Sequence, residues 1–351
     1  MKPSTLLMGL CATQALAMPG MESAMAEIQA RDDFFLEARS TDLLGDLIGG
    51  VLTAVGNIIK AILQGSSAVG DGATYTAPGS LGSDACKNDA LCAWSYIVKD
   101  MSTAFVGAVG CTDAARGAIR QGFHDASTWD KNSPYGGADG SLLLSDELTR
   151  PENRGLGAIG DQTKAWYNTY NQYGLSMADI IQTAAKVAVV SCPGGPRIRA
   201  FAGRRDDSRA GPTDMLPSPF QDAQSLIDLF VAKTFSAADL IALLGAHSTS
   251  KQNFVDPSRA GTPQDSDPGV WDTRFYSETL TSDNTTILVF PSDRNLATFS
   301  QTRAQWNSFA GAGGQIRWAP AFASAYFRMS MLGVDNMNQL TEITRVIPLP
   351  R

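Results

Sequence analysis

The sequence predicts an all-α protein of about ten helices with very little β-structure. Three observations carry this. Apolar residues recur at three- and four-residue steps in segment after segment from about residue 86 onward. Several of those segments open on Ser, Thr, Asp or Pro, as helices do. Strand-like alternation is short and rare, and the connections are long and rich in Gly, Pro and Asp, as in domains whose loops hold ligands. With 44% apolar and 18% charged residues in a chain of 351, the composition is that of a globular protein. A net charge of −7 argues against a nucleic-acid backbone as partner.

Residues 1–17 are expected to be a secretory leader. Lys2 supplies the positive end, "LLMGLCATQALA" the apolar stretch, and Ala15-Leu16-Ala17 the cleavage site. The stretch is too short to span a bilayer. Its removal takes away Cys11 and leaves Cys86, Cys92, Cys111 and Cys192. An even number of cysteines in an exported chain favours disulfides, with all three pairings open. The spacing lacks a zinc-type C-x-x-C. Asn284-Thr285-Thr286 fits a glycan acceptor.

Residues 18–79 are expected to form an N-terminal extension. Within it, Leu43, Leu44, Leu47, Ile48, Val51, Leu52, Val55, Ile58, Ile59, Ile62 and Leu63 give one face of an amphipathic helix over 42–64. Ser40, Thr41 or Asp42 would cap it. Packing on the main domain, or service as a pro-segment, is its plain role; membrane-surface binding or self-association is the alternative. A Gly/Ser linker follows, and the main domain occupies 80–351.

The main domain's helical segments are, in order, "ALCAWSYIVKDMSTAFV", "CTDAARGAIRQGFHDA", "GAIGDQTKAWYNTYNQY", "SMADIIQTAAKVAVVS", "PFQDAQSLIDLFVAKT", "SAADLIALLGAH", "LATFSQTRAQWNSFA" and "PAFASAYFRMSMLG". The chain has only two histidines, each near the end of one of these segments. Arg120 and His124 are four apart and share a helix face. Held in an apolar pocket beside Phe123, such a pair can move a proton and stabilise a developing negative charge. His247 ends a helix that is apolar almost all round. One histidine cannot hold a lone zinc, but haem iron takes four ligands from the porphyrin and needs only one imidazole from the protein.

Each histidine is followed at once by an oxygen-bearing loop. Asp125, Gly137, Asp139 and Ser141 follow the first. Ser248, Asp265, Asp267, Asp272 and the Val270 carbonyl follow the second. Both sets suit a hard cation such as calcium, though neither matches an EF-hand.

Residues 86 to about 335 resemble the secreted fungal haem peroxidases, class II of the plant-type peroxidase superfamily. The resemblance rests on "RQGFHDA", "GGADGSLLL", "ENRGL", "CPGGP", "FAGRRD", "LIALLGAHS", "DSDPGVWD" and "FPSDRNLA", in the family's order. It implies a fold with one haem b between a distal and a proximal half. It also implies two calcium ions, hydrogen peroxide with small aromatic donors as substrates, and an extracellular location. The sequence gives no sign of an oligomer, so a monomer without membrane or nucleic-acid partner is expected. By position, Arg120 and His124 become the distal pair with Phe123 over the haem, and Asn153 holds His124 with support from Glu147. His247 becomes the proximal ligand, backed by Asp293. The two loops become the distal and proximal calcium sites, with Asp267 where many relatives carry threonine. The implied disulfides are Cys111–Cys192 and Cys86–Cys92; most relatives have eight cysteines.

The resemblance also bears on the electron donor. The positions at which manganese-oxidising relatives carry acids are here Asp113, Gly117 and Asn253, only one of them acidic. The position of the surface tryptophan in lignin-degrading relatives is Ala242. The expected enzyme is therefore a generic peroxidase acting on phenols at the haem edge. Two competing readings are a histidine hydrolase or nuclease built on His124 and Asp125, and a non-enzymatic secreted, calcium-stabilised helical module.

Overall fold

The computed structural model describes residues 41–283 and 285–351. The expected leader, the Ser40 cap and the Asn284 glycan acceptor lie outside them. Among the described residues there are thirteen α-helices, two of them single turns at Asp84–Lys87 and Ser141–Leu144, and one two-residue pair of strands.

The helix expected over 42–64 is shorter than its apolar pattern. A 3-10 turn at Gly45–Ile48 is separated from helix α1, Ala54–Leu63, by an irregular stretch. Gly50 in that stretch has φ +134°, which a helix cannot accommodate, and the Thr53 side chain caps α1 from Gly56 N–H. Leu44, Leu47, Ile59, Ile62 and Leu63 join the main core, while Ile48 and Leu52 stay exposed. Two polar anchors hold the segment down. Asp46 accepts from the backbone N–H groups of Met337 (2.7 Å) and Asn338 (3.1 Å), and Arg328 donates to the Leu63 carbonyl at 3.1 Å. The Gly/Ser stretch that follows is strapped to the body as well. Gly70 N–H donates to Arg197 O at 2.7 Å, and the Arg197 guanidinium reaches Ala73 O at 2.8 Å.

Helices α2 (Cys92–Phe105), α3 (Asp113–Ala126), α4 (Gly157–Tyr170) and α5 (Met177–Ser191) come next. Every residue of α5 is buried, which explains its continuous apolar and small-residue run, and α3 packs along it. The two ionisable side chains on α5 both have hydrogen-bond partners. Asp179 pairs with Arg204 at 2.8 Å, and Lys186 donates to Arg199 O at 3.0 Å. Cys86–Cys92 and Cys111–Cys192 are disulfides, the second tying the start of α3 to the end of α5.

The remaining helices are α6 (Ala223–Ala232), α7 (Ala237–Leu244), α8 (Arg274–Thr281), α9 (Pro291–Thr298), α10 (Arg303–Ala310) and α11 (Gly314–Met329). A Ser236–Asp239 capping box starts α7. The single segment read over 296–310 is two helices, because the Thr302 hydroxyl turns back onto the Leu296 carbonyl and breaks the run. Helix α8 was not among the expected segments. Trp271, Trp306 and Trp318 are fully buried between α8, α10 and α11. No single helix among the described residues is long and apolar enough to cross a membrane. The pair α6 and α7, with the turn that follows α7, is apolar enough taken together, but it bends by 105° and lines a cavity instead.

Candidate active site

A cavity of about 1120 Å³ opens in the body, and both histidines line it. Phe123, Leu226, Phe230, Leu240, Leu243 and Phe290 form much of its apolar wall. Its volume lies above the ~300–1,000 Å³ usual for small-molecule clefts, which fits a flat macrocycle with space left for substrate.

His124 stands in the last turn of α3 and is buried. Its Nδ1 lies 2.7 Å from Asn153 Oδ1, and Asn153 Nδ2 donates to the Glu147 carbonyl at 2.8 Å. A carbonyl only accepts, so the amide must present its oxygen to the imidazole. Nδ1 therefore carries the ring proton and Nε2 is bare. The glutamate's support thus runs through its backbone. Its carboxylate instead accepts from Gly211 N–H at 2.7 Å.

Arg120 lies one turn before His124, and its Nε donates to His124 Nε2 at 3.1 Å. Its other nitrogens donate to the carbonyls of Arg154 (2.7 Å) and Glu152 (2.9 Å), which fix the guanidinium against the cavity. Burial, reinforced by the Arg120 charge, drives the His124 pKa down to about 3 despite the Asn153 bond. Burial also lowers Arg120, to about 10, so it stays charged at neutral pH. The pair on this helix face is therefore one cation and one neutral base. Phe123 stacks with Phe230 and meets His124 edge-on.

His247 sits in a 3-10 turn, Gly245–Thr249, directly after α7. Gly245 lets the Trp318 ring pack against that turn, since a Cβ there would lie 2.3 Å from the ring. His247 Nδ1 is 3.2 Å from Asp293 Oδ2, and Asp293 is fully buried on α9. The carboxylate fixes the Nδ1–H tautomer and leaves Nε2 free to bind a metal. Phe275 and Phe290 pack edge-on against the ring.

Gln264 completes this group and was missed in the sequence. Its Nε2 lies 3.0 Å from Asp293 Oδ2 and 3.3 Å from His247 Nδ1, and Ser250 Oγ holds its Oε1. A lone Gln in a loop belongs to no recognisable pattern, so nothing local marked it.

Around the first loop, Asp125 is fully buried and takes long bonds from Gly140 N–H and Leu142 N–H. Burial, then the nearby Asp139 and Glu147 charges, raise its pKa well above the usual carboxylate range. Burial likewise raises Asp139 to about 6. The buried Ser141 hydroxyl finds no partner in the protein, and Gly137 offers its carbonyl in the same loop. The second loop repeats the arrangement. The buried Ser248 hydroxyl and Asp265 Oδ2 have no protein partner. Burial raises Asp265 to about 7, with Asp272 and Glu278 adding to the effect. Asp267 and Val270 lie on the same loop, Val270 N–H donating to Asp267 O at 3.1 Å. No three His, Cys, Asp or Glu side chains converge into a metal cluster among the described residues. A cation in either loop would therefore need carbonyl and hydroxyl oxygens as well, which suits calcium.

A neutral base beside a guanidinium thus shares one large apolar cavity with a carboxylate-backed imidazole whose Nε2 can take a metal, an arrangement suited to acid–base chemistry beside a bound metal. Comparison with known proteins leads to the same place. The peroxidase family model matches residues 98–312. A peroxidase of Arthromyces ramosus is 31% identical over 315 residues, covering 83% of this chain and 84% of the relative. A peroxidase of Coprinopsis cinerea is 30% identical, covering 85% and 86%. Manganese peroxidase 3 of Phlebia radiata is 32% identical, covering 75% and 78%. The chain belongs to the plant-type peroxidase family, and it is an enzyme that uses hydrogen peroxide to oxidise aromatic donors.

Proposed function

We propose that the cavity takes one haem b, whose iron His247 Nε2 would hold, and that His124 and Arg120 would act on peroxide. The observation that carries this is the bare Nε2 of His124 beside Arg120, in the same cavity as an imidazole whose Nδ1 is committed to Asp293. When bound, haem supplies the iron at which the peroxide O–O bond breaks and which holds the oxidising equivalents. His124 Nε2 takes the proton from one peroxide oxygen and returns it to the other, which leaves as water. Arg120 stabilises the negative charge that builds on the departing oxygen. Asp293 accepts the His247 Nδ1 proton and makes that ligand more electron-rich.

We further propose two calcium ions. One is held by Asp125, Gly137, Asp139 and Ser141, and the other by Ser248, Asp265, Asp267, Val270 and Asp272. The unpartnered hydroxyls of Ser141 and Ser248 and the carboxylates of Asp125, Asp139, Asp265 and Asp272, raised chiefly by burial, support both. Each ion would anchor the residue next to a histidine. Secretion fits the two disulfides, which persist in oxidising surroundings.

The donors are small phenols taken at the cavity mouth. Asp113, the single acid at the manganese-type positions, is ion-paired with Arg116 and Lys251. Ala242 is buried, and no tryptophan among the described residues is more than partly exposed. The test is a visible spectrum of purified protein. A Soret band that shifts on peroxide addition is expected, and His124→Ala should keep the band and nearly lose the shift. Full-rate peroxide reaction in His124→Ala would refute the assignment.

A further inference from the structure

Among the described residues, the exposed aromatic side chains are Phe220, at 65%, and Phe254, at 45%. Every other described Phe, Tyr and Trp is buried or half-buried. Both exposed rings line the cavity, so they mark where it meets solvent. An exposed phenyl ring is unremarkable alone. That both line one cavity is what points to a ligand that has a ring of its own.

The charge at this opening is equally specific. The Arg154 guanidinium carbon lies 5.1 Å from the Phe254 ring centroid, and its Nε donates to Pro151 O at 3.1 Å. Arg116 and Lys251 also line the cavity, but both are committed to Asp113. Arg120 is turned inward to His124. Arg154 is thus the exposed cation of the lining that has no carboxylate partner among the described residues. A guanidinium laid on an aromatic face keeps its N–H edge free for a carboxylate, which it can grip with two parallel bonds. On a chain of net charge −7, such a group is a local exception. Its backbone also belongs to the machinery, since the Arg154 carbonyl is one of the two that hold Arg120.

We propose that Arg154 and Phe254, with Phe220, select aromatic carboxylates as electron donors. The ring of the donor rests against the phenyl groups and its carboxylate meets Arg154, so the phenol is held at the cavity mouth. This rests on the peroxidase reading above and concerns binding before electron transfer; the oxidation chemistry is unchanged. Glu152 lines the same opening and opposes the anion, which makes it a useful second handle.

The test uses the haem-loaded protein without peroxide, titrated calorimetrically with 4-hydroxycinnamate and with its uncharged methyl ester. The acid is expected to bind about tenfold more tightly at low salt, the worth of one good charged hydrogen-bonded contact. The difference should vanish in Arg154→Gln, shrink with added salt, and grow in Glu152→Gln. Phe254→Leu should weaken acid and ester alike. Equal binding of acid and ester, or a preference that survives in Arg154→Gln, overturns the proposal. The peroxide reaction of the same preparation is followed separately. Its absence would overturn the peroxidase reading, whereas equal affinities in a protein that does react with peroxide would sink the selectivity alone.

Discussion

Asn153 Oδ1 stands 2.7 Å from His124 Nδ1, and this contact sets which nitrogen of the imidazole is the base. Through it the Glu147 carbonyl, six residues before Asn153, decides the tautomer of a side chain on another helix. Replacing the amide with an apolar group would free the ring to carry its proton on either nitrogen.

Asn153→Leu should therefore slow the reaction with peroxide by roughly ten- to a hundredfold, the usual effect of losing an orienting partner. His124→Ala should lose about 10²- to 10⁴-fold, the scale of general-base catalysis. Stopped-flow measurement of peroxide consumption separates the two. Equal losses would mean that Asn153 does more than orient the ring.

The peroxide step should be insensitive to pH over a wide acidic range. His124 must be unprotonated to act, and its pKa is lowered to about 3 by burial and by Arg120. The rate constant is expected to stay flat from neutral pH downward and to fall only as pH passes through about 3. An inflection near the ordinary histidine value of about 6.5 would show the ring to be solvated.

Gln264 shares Asp293 Oδ2 with His247, and this competition weakens the pull of the carboxylate on the imidazole N–H. Gln264→Leu should strengthen the His247–Asp293 bond and lower the haem reduction potential. A change worth about 1 kcal/mol corresponds to roughly 40 mV for one electron. Potentiometric titration gives the value directly, and an unchanged or raised potential would count against this role.

Calcium removal should destabilise the protein most at neutral pH. Without the ion, Asp139 and Asp265 have pKa values raised to about 6 and about 7, above the unfolded value of about 3.9. The folded state then holds protons that the unfolded chain has released. Stability is kept at pH below about 4 and lost as pH rises through these raised values. A chelator should thus lower the unfolding midpoint strongly at pH 7 and little at pH 4. A uniform effect across that range would contradict the assignment of these carboxylates.

Some of this was legible before any coordinates. The helix-period pattern located α3, which buries one side against its neighbours, and the continuous apolar run located α7, which is buried almost all round. Arg120 and His124 were readable as a pair, since positions four apart on a helix always meet. Elsewhere the local pattern misled. The apolar positions over 42–64 continue across a break, because a 3-10 turn and an α-helix place side chains at similar spacings while Gly50 changes the chain's direction. Glu147 was expected near Asn153, but whether it would use its carboxylate or its carbonyl depends on how a loop folds back.

By itself, then, the sequence determined the helical class, the two histidines with their oxygen-rich loops, and the family to which they belong. These depend on short spacings along one chain, which helix geometry converts directly into proximity. Only the tertiary structure decided that His124 is a neutral base, that Gln264 reaches Asp293, and that Arg154 lies on Phe254 at the cavity mouth. Those facts follow from burial and from contacts between loops far apart in sequence, and neither leaves a periodic trace in the order of residues.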